Sequence, residues 1–166
     1  MTPPRILVRI QESTATICIR GRATCMLGPG LRHFILQGER GGVSHFEIGL
    51  DGCEYMDSTV LGILAMLAIG QRDGRWSVEL INTPPRILAQ LTELGLRPFF
   101  PLSLRQLPPA EPTMTVLQPP PASDLAGTMR DAHVTLGQID PSNTARFAGV
   151  LEALDGGAGK PGKGPG

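Results

Sequence analysis

The sequence predicts an α/β fold built on a mostly parallel sheet of four to five strands with helices packed mainly on one face. Three observations carry that expectation. Short runs alternate apolar and polar residues with a period of two, capped apolar runs of helical length separate them, and strands and helices follow one another in the order that right-handed crossovers require. Most strands alternate, whereas strands covered on both faces read as continuous apolar runs, so one face of the sheet is covered less completely than the other.

Ile6, Val8 and Ile10 alternate with Leu7 and Arg9. After the polar turn Gln11-Glu12-Ser13-Thr14, Ile17 and Ile19 alternate with Thr16, Cys18 and Arg20, so a β-hairpin opens the chain. Gly28-Pro29-Gly30 starts a helix through Leu31, Phe34 and Ile35, with Pro29 suited to its first turn and Gly38 placed to end it. Phe46, Ile48 and Leu50 alternate with His45, Glu47 and Gly49 as a half-buried strand that Asp51-Gly52 breaks. The apolar run from Val60 to Ile69 ends at Gln71-Arg72-Asp73-Gly74, giving a helix of about three to four turns. Trp76 to Ile81 is a further strand. Thr83-Pro84-Pro85 then introduces a helix with Ile87, Leu88, Leu91 and Leu94 on one face, closed by Gly95, and Leu96 to Phe100 adds a last short strand.

Composition changes after this unit of residues 1–100. Pro108-Pro109, Pro112 and Pro119-Pro120-Pro121 make residues 101–122 a proline-rich linker. Residues 123–155 form a helical hairpin: Leu125, Met129, Ala132, Val134 and Leu136 mark one helix, and Asp140-Pro141-Ser142 caps a second that carries Phe147, Val150, Leu151 and Leu154. Such a pair is too small to stand alone and docks on the main unit or on a second copy, which leaves a homodimer open. Its charges, Asp124, Arg130, Asp131, Asp140, Arg146, Glu152 and Asp155, are on balance acidic and repel phosphate, so it is no DNA-reading helix-turn-helix. The Gly, Pro, Lys and Ala tail, 156–166, is expected to be disordered.

The chain has 166 residues with 15 basic and 15 acidic side chains, a balance that argues against direct nucleic-acid binding. Trp76 and Tyr55 are single, so base-stacking platforms are excluded as well. Cys18, Cys25 and Cys53 show no metal-ligand spacing and cannot close a complete disulfide set, which fits reduced thiols in a cytoplasmic protein. No leader pattern stands at the N-terminus and the longest apolar run is too short to span a bilayer, so no membrane insertion is expected. His33, His45 and His133 have no second ligand or nucleophile at a recognisable spacing, and no phosphate loop is present; no metal and no cofactor are expected.

The informative stretch is Met56-Asp57-Ser58-Thr59-Val60-Leu61-Gly62. Asp57 is the natural N-cap, its carboxylate accepting a first-turn N–H and opposing the positive helix end, and Ser58 follows with its hydroxyl near the surface. The helix itself lacks a polar stripe: Val60, Leu61, Ile63, Leu64, Met66, Leu67 and Ile69 are spaced only by Gly62, Ala65 and Ala68. A helix apolar all round is enclosed or faces something outside the monomer, and in so short a chain the expectation is a partner-facing surface.

These residues resemble the signature that begins the second helix of STAS domains, the anti-sigma-factor antagonists. Gly21-Arg22-Ala23 sits where that family closes its second strand, and Leu91-Thr92-Glu93-Leu94-Gly95-Leu96 is similar to its third helix end, so the resemblance spans about Arg5 to Phe100. The chain departs from the pattern at Thr24-Cys25, where an acidic residue is usual, and at Val60, where a glycine is usual. The resemblance implies phosphorylation-dependent partner switching: the unphosphorylated protein binds an anti-sigma factor serine kinase or a similar regulatory protein. Phosphorylation at Ser58, with Thr59 as the second acceptor, ends that binding. The partner-contact residues are then Asp57, Ser58, Thr59, Gly62, Ile63 and Met66. The same family includes cytoplasmic subunits of lipid-transport ABC complexes, the alternative role. An enzyme is not expected: Asp57, Ser58 and His45 could be arranged as a hydrolase triad, yet no GxSxG elbow and no orienting group accompany them.

Overall fold

A computed structural model describes residues 2–109 and 113–157. The strands are β1 (Arg5–Gln11), β2 (Thr14–Ala23), β3 (His45–Gly49), β4 (Cys53–Met56), β5 (Ser77–Ile81), β6 (Leu102–Ser103) and β7 (Thr115–Val116). The helices are α1 (Gly28–Arg40), α2 (Ser58–Arg72), α3 (Pro85–Glu93), α4 (Leu125–Ile139), α5 (Pro141–Arg146) and α6 (Ala148–Gly157). The sheet runs β6-β5-β3-β2-β1-β7. β2, β3, β5 and β6 are parallel, and β1 lies antiparallel between β2 and β7.

β2 does two jobs. Thr14 to Cys18 pair with β3, while Gly21 to Ala23 pair with β4, and the register shifts between Gly21 and Arg22. Gly21 makes that shift at φ +71°, and a Cβ there would lie 2.7 Å from the Thr2 carbonyl oxygen, so glycine is required on both counts. The bend aims β4 at the start of α2, where the Asp57 N–H donates to the Ala23 carbonyl at 3.0 Å.

One face of the sheet carries the helices and the main core, in which Phe46, Ile17, Ile48 and Leu80 meet Leu31, Ile63, Leu64, Ile87 and Leu91. Trp76 closes its end, stacked edge-on to Phe46 at 5.3 Å and donating its indole N–H to the Leu67 carbonyl at 2.9 Å. The other face is crossed by the proline-rich segment. Beyond β6, Asn82 and Arg105 exchange hydrogen bonds of 2.7 and 3.1 Å. Leu107 and Met114 then pack on Leu7 and Cys18, β7 adds to the edge of β1, and the Leu117 N–H donates to the Ile6 carbonyl at 2.8 Å. The described parts of the segment, on either side of residues 110–112, are therefore strapped over the sheet.

Several elements differ from the sequence expectation. α1 continues through Gly38 to Arg40; Gly38 instead allows Val43 to approach, since a Cβ there would lie 3.3 Å from Val43 Cγ2. β4 was not foreseen, because four residues with only Cys53 and Met56 buried carry too little periodicity. Arg97–Phe99 is a 3-10 turn led by Pro98 and not a strand; the strand comes later, at β6. The second C-terminal helix divides at Phe147, which packs on His133 with ring centroids 5.0 Å apart. The expected disordered tail lies, from residue 158 onward, outside the described residues.

The main correction concerns α2. Its outer face is not open: α4 lies along it, and ten of its fifteen residues are buried, Gly62 and Ile63 among them and Met66 partly so. One added helix is enough to enclose another that is apolar on every side.

On the strapped face, Arg105 bonds the Glu47 carboxylate at 2.9 Å and that of Glu79, whose other oxygen accepts from Ser103 at 2.7 Å. Arg105 holds the Glu79 carboxyl below the usual carboxylate range. A group depressed in the folded state stabilises above its unfolded pKa and loses that contribution as pH falls through its folded pKa. Arg105→Ala should therefore raise the Glu79 titration in an NMR experiment. It should also lower the urea midpoint at neutral pH, with the deficit shrinking on acidification; a deficit independent of pH would contradict this account.

Candidate functional site

Asp57 occupies the bend between β4 and α2 in extended backbone, the conformation an N-cap needs. One carboxylate oxygen accepts from the Val60 N–H at 3.0 Å, and the other accepts from the Cys25 N–H at 2.5 Å. A single side chain thus satisfies the first turn of α2 and ties it to the segment leaving β2. Gln90 of α3 fixes the other side of the bend, donating to the Met56 carbonyl at 2.8 Å and accepting from its N–H at 3.3 Å.

Ser58 follows on the first turn of α2 and is half-buried, whereas Thr59 is only 1 % exposed. The Ser58 Oγ lies 2.8 Å from Nε2 of His133, on α4. The imidazole Nδ1 sits 2.5 Å from the Met129 carbonyl oxygen, which can only accept. Nδ1 therefore carries a proton, and in the neutral tautomer this fixes, Nε2 accepts from the Ser58 hydroxyl. His133 is buried, backed by Phe147. In that tautomer the serine hydroxyl has a base in contact for its proton whenever the oxygen attacks an electrophile.

Beside Ser58 opens a cleft of about 250 Å³, bordered by Tyr55, Leu61, Gln90, Glu93, Arg146 and Phe147. Its rim is charged: Arg146 pairs with Glu93 at 2.6 Å. Asp57 and Ser58 line this cleft, while Gly62 lies inside the α2–α4 contact and Ile63 is buried toward Gly28 at the start of α1.

Sequence reasoning missed His133. Seventy-five residues separate it from Ser58, and no local spacing signals a contact made only when α4 folds back on α2. The hydrolase arrangement with His45 is not assembled: the His45 ring bonds Ser77 Oγ at 2.6 Å on the strapped face of the sheet, near Glu47 and Glu79. Those three residues are the one grouping among the described residues whose ligand atoms lie close enough to share a cation, and the Arg105 guanidinium already bonds both carboxylates. All three cysteines are free; burial raises the Cys18 thiol and pushes that of Cys53 up to about 11, so both stay protonated at neutral pH. Among the described residues no helix is long and apolar enough to cross a membrane.

A family model described as "Mlab, STAS domain" matches residues 6–106. No curated protein matches the chain. Among solved structures, the anti-sigma factor antagonist SpoIIAA in its unphosphorylated form is similar over 58% of this chain and 86% of that one, with a TM-score of 0.53 at 16% identity. The Bacillus cell fate determinant SpoIIAA in its phosphorylated form is similar over 58% and 89%, with a TM-score of 0.51 at 17% identity. At these identities the likeness is one of fold.

Asp57→Ala removes a helix cap and leaves the Cys25 N–H without its acceptor. The expected loss is about 2–3 kcal/mol in denaturant unfolding. Asp57→Asn keeps an acceptor oxygen and should lose less; equal losses would show that hydrogen bonding at this bend is not what matters.

Proposed function

The chain belongs to the STAS domain family, and we propose that it is a regulatory protein–protein interaction module of the anti-sigma-factor-antagonist kind, switched by phosphorylation at Ser58. The observation that carries this reading is the placement of Ser58: a half-buried hydroxyl on the first turn of an all-apolar helix, facing an open cleft, with an imidazole against it. The contact set proposed from sequence, Asp57, Ser58, Thr59, Gly62, Ile63 and Met66, runs from that turn down α2. Ser58 is the primary acceptor because Thr59 is buried with its methyl directed at Gly28.

Phosphorylation changes this site in two ways. It replaces the hydroxyl proton that Ser58 donates to His133, and it adds about −1.5 to −2 charges beside the Asp57 carboxylate and the Glu93 rim. A partner whose apolar surface rests on the start of α2 then meets an anion it must desolvate, and binding weakens. The partner proposed is an anti-sigma factor serine kinase, with sigma-factor-dependent transcription as the regulated process.

A second reading, a cytoplasmic subunit of a lipid-transport ABC complex, is favoured by the Mlab-type family model. There the docking is permanent and Ser58 is unmodified.

One experiment separates them. Mass spectrometry of the protein from its host should find phosphate on Ser58. In binding assays with the serine kinase encoded nearest to it, Ser58→Asp should bind at least tenfold more weakly than Ser58→Ala. Equal binding of the two variants, or stable co-purification with an ATPase regardless of Ser58, would overturn the switch.

A further inference from the structure

The cover on α2 is itself informative. Gly62 and Gly28 floor the surface on which α4 lies: a Cβ on Gly62 would fall 2.4 Å from the Ala132 carbonyl oxygen, and one on Gly28 would fall 3.3 Å from Thr128 Cγ2. The α4 backbone is thus seated directly in a groove of α2 that admits a helix only with a small residue at the crossing.

The two sides of this contact are unequal. α2 offers an apolar surface, yet of the five residues α4 buries, Thr128, His133 and Thr135 are polar and only Ala132 and Leu136 are not. At the rim, ion pairs with side chains 30 to 64% exposed join Arg32 of α1 to Asp131 of α4 and Arg146 of α5 to Glu93 of α3, each at 2.6 Å, and one buried side chain, Asn143 of α5, donates to the Leu94 and Leu136 carbonyls at 2.9 Å. Exposed pairs of this kind contribute little. Apart from Ala132, Leu136 and the partly buried Ile139, the α4 side of this contact is polar, the make-up of an exchangeable interface more than of a core.

The tether permits exchange. β7 anchors the chain at the edge of β1, and the stretch from Leu117 to Asp124 that follows it contains no helix or strand. Extended, it spans about 25 Å. α4 can therefore leave α2 while every strand pairing stays intact, with the Asn143 bridge between the Leu136 and Leu94 carbonyls as the buried polar contact that must open.

We propose that α4 is a resident competitor in cis: the α2 groove is the docking surface for a partner's amphipathic helix, and the partner enters by displacing α4 and breaking the Ser58–His133 hydrogen bond. The partner helix carries Ala, Gly or Ser opposite Gly62, where a larger residue collides, and apolar residues one turn to either side. This rests on the reading of α2 as the partner-facing helix and adds that the surface is closed until contested.

The test uses the full chain and a fluorescent peptide of its own residues 123–147 as the probe. Ala132→Arg drives a long charged side chain into Gly62 and should free the groove, so that this variant takes up the peptide at least tenfold more tightly than the unaltered chain. A peptide carrying the same substitution should not bind. If the folded variant binds the peptide no better than the unaltered chain, the proposal is overturned.

Should Ala132→Arg fail to fold, hydrogen exchange of the unaltered chain decides. α4 amides exchanging through an opening separate from β2 and β3 support the proposal, and α4 exchanging only with the central strands overturns it. Peptide uptake does not involve phosphate, so it can succeed where the Ser58 variants show no switch, and the two readings fail separately.

Discussion

A helix without a polar face needs cover on both sides, and much of this molecule follows from that requirement in α2. The sheet supplies one cover through Phe46, Ile48 and Leu80; α4 supplies the other. Each fully buried Val, Leu or Ile side chain contributes about 1.5–3 kcal/mol relative to exposure. The several aliphatic side chains of α2 are therefore a large reward for whatever covers them, and a helix with only two buried apolar residues of its own is enough to collect it. Close approach of the two backbones at Gly62 makes this possible, because shape fit there compensates for the polar content of α4.

The same contact gives Ser58 its chemical surroundings. On the STAS unit alone the hydroxyl would stand on a first helical turn beside an aspartate cap. With α4 in place it faces an imidazole whose tautomer a backbone carbonyl has already chosen. Ser58 and the C-terminal layer are thereby linked: anything that changes the hydroxyl acts on the seat of α4, and anything that lifts α4 changes what the hydroxyl meets. That reciprocity follows from one shared hydrogen bond and does not depend on the identity of a partner.

The opposite face of the sheet shows why its strands alternate so regularly. Thr16, Glu47 and Glu79 are neither core nor free surface; Arg105 and the strap settle over them, with Leu107 and Met114 adding a small apolar patch on Leu7 and Cys18. Gly49 belongs to this arrangement, since a Cβ there would fall 2.6 Å from Leu107 Cδ1. The strap carries the chain from β6 to β7 and around to the helix side, and so decides where α4 can dock.

The sequence by itself determined what depends on neighbours in the chain. The alternation in β1, β2, β3 and β5 follows from the two-residue period of a strand, and the extents of α2 and α3 follow from capping and apolar spacing; Asp57 was legible as a cap because the bond it makes to Val60 is local. Short elements such as β4, β6 and β7 were not legible, since two to four residues carry no periodicity and form only where a partner strand is waiting. Only the tertiary structure decided that the proline-rich segment straps the open face, that α4 seals α2, and that His133 rather than His45 stands against Ser58. Those outcomes rest on contacts between residues dozens of positions apart, and the composition of α2, apolar on every side, is the same whether its cover comes from another protein or from its own chain.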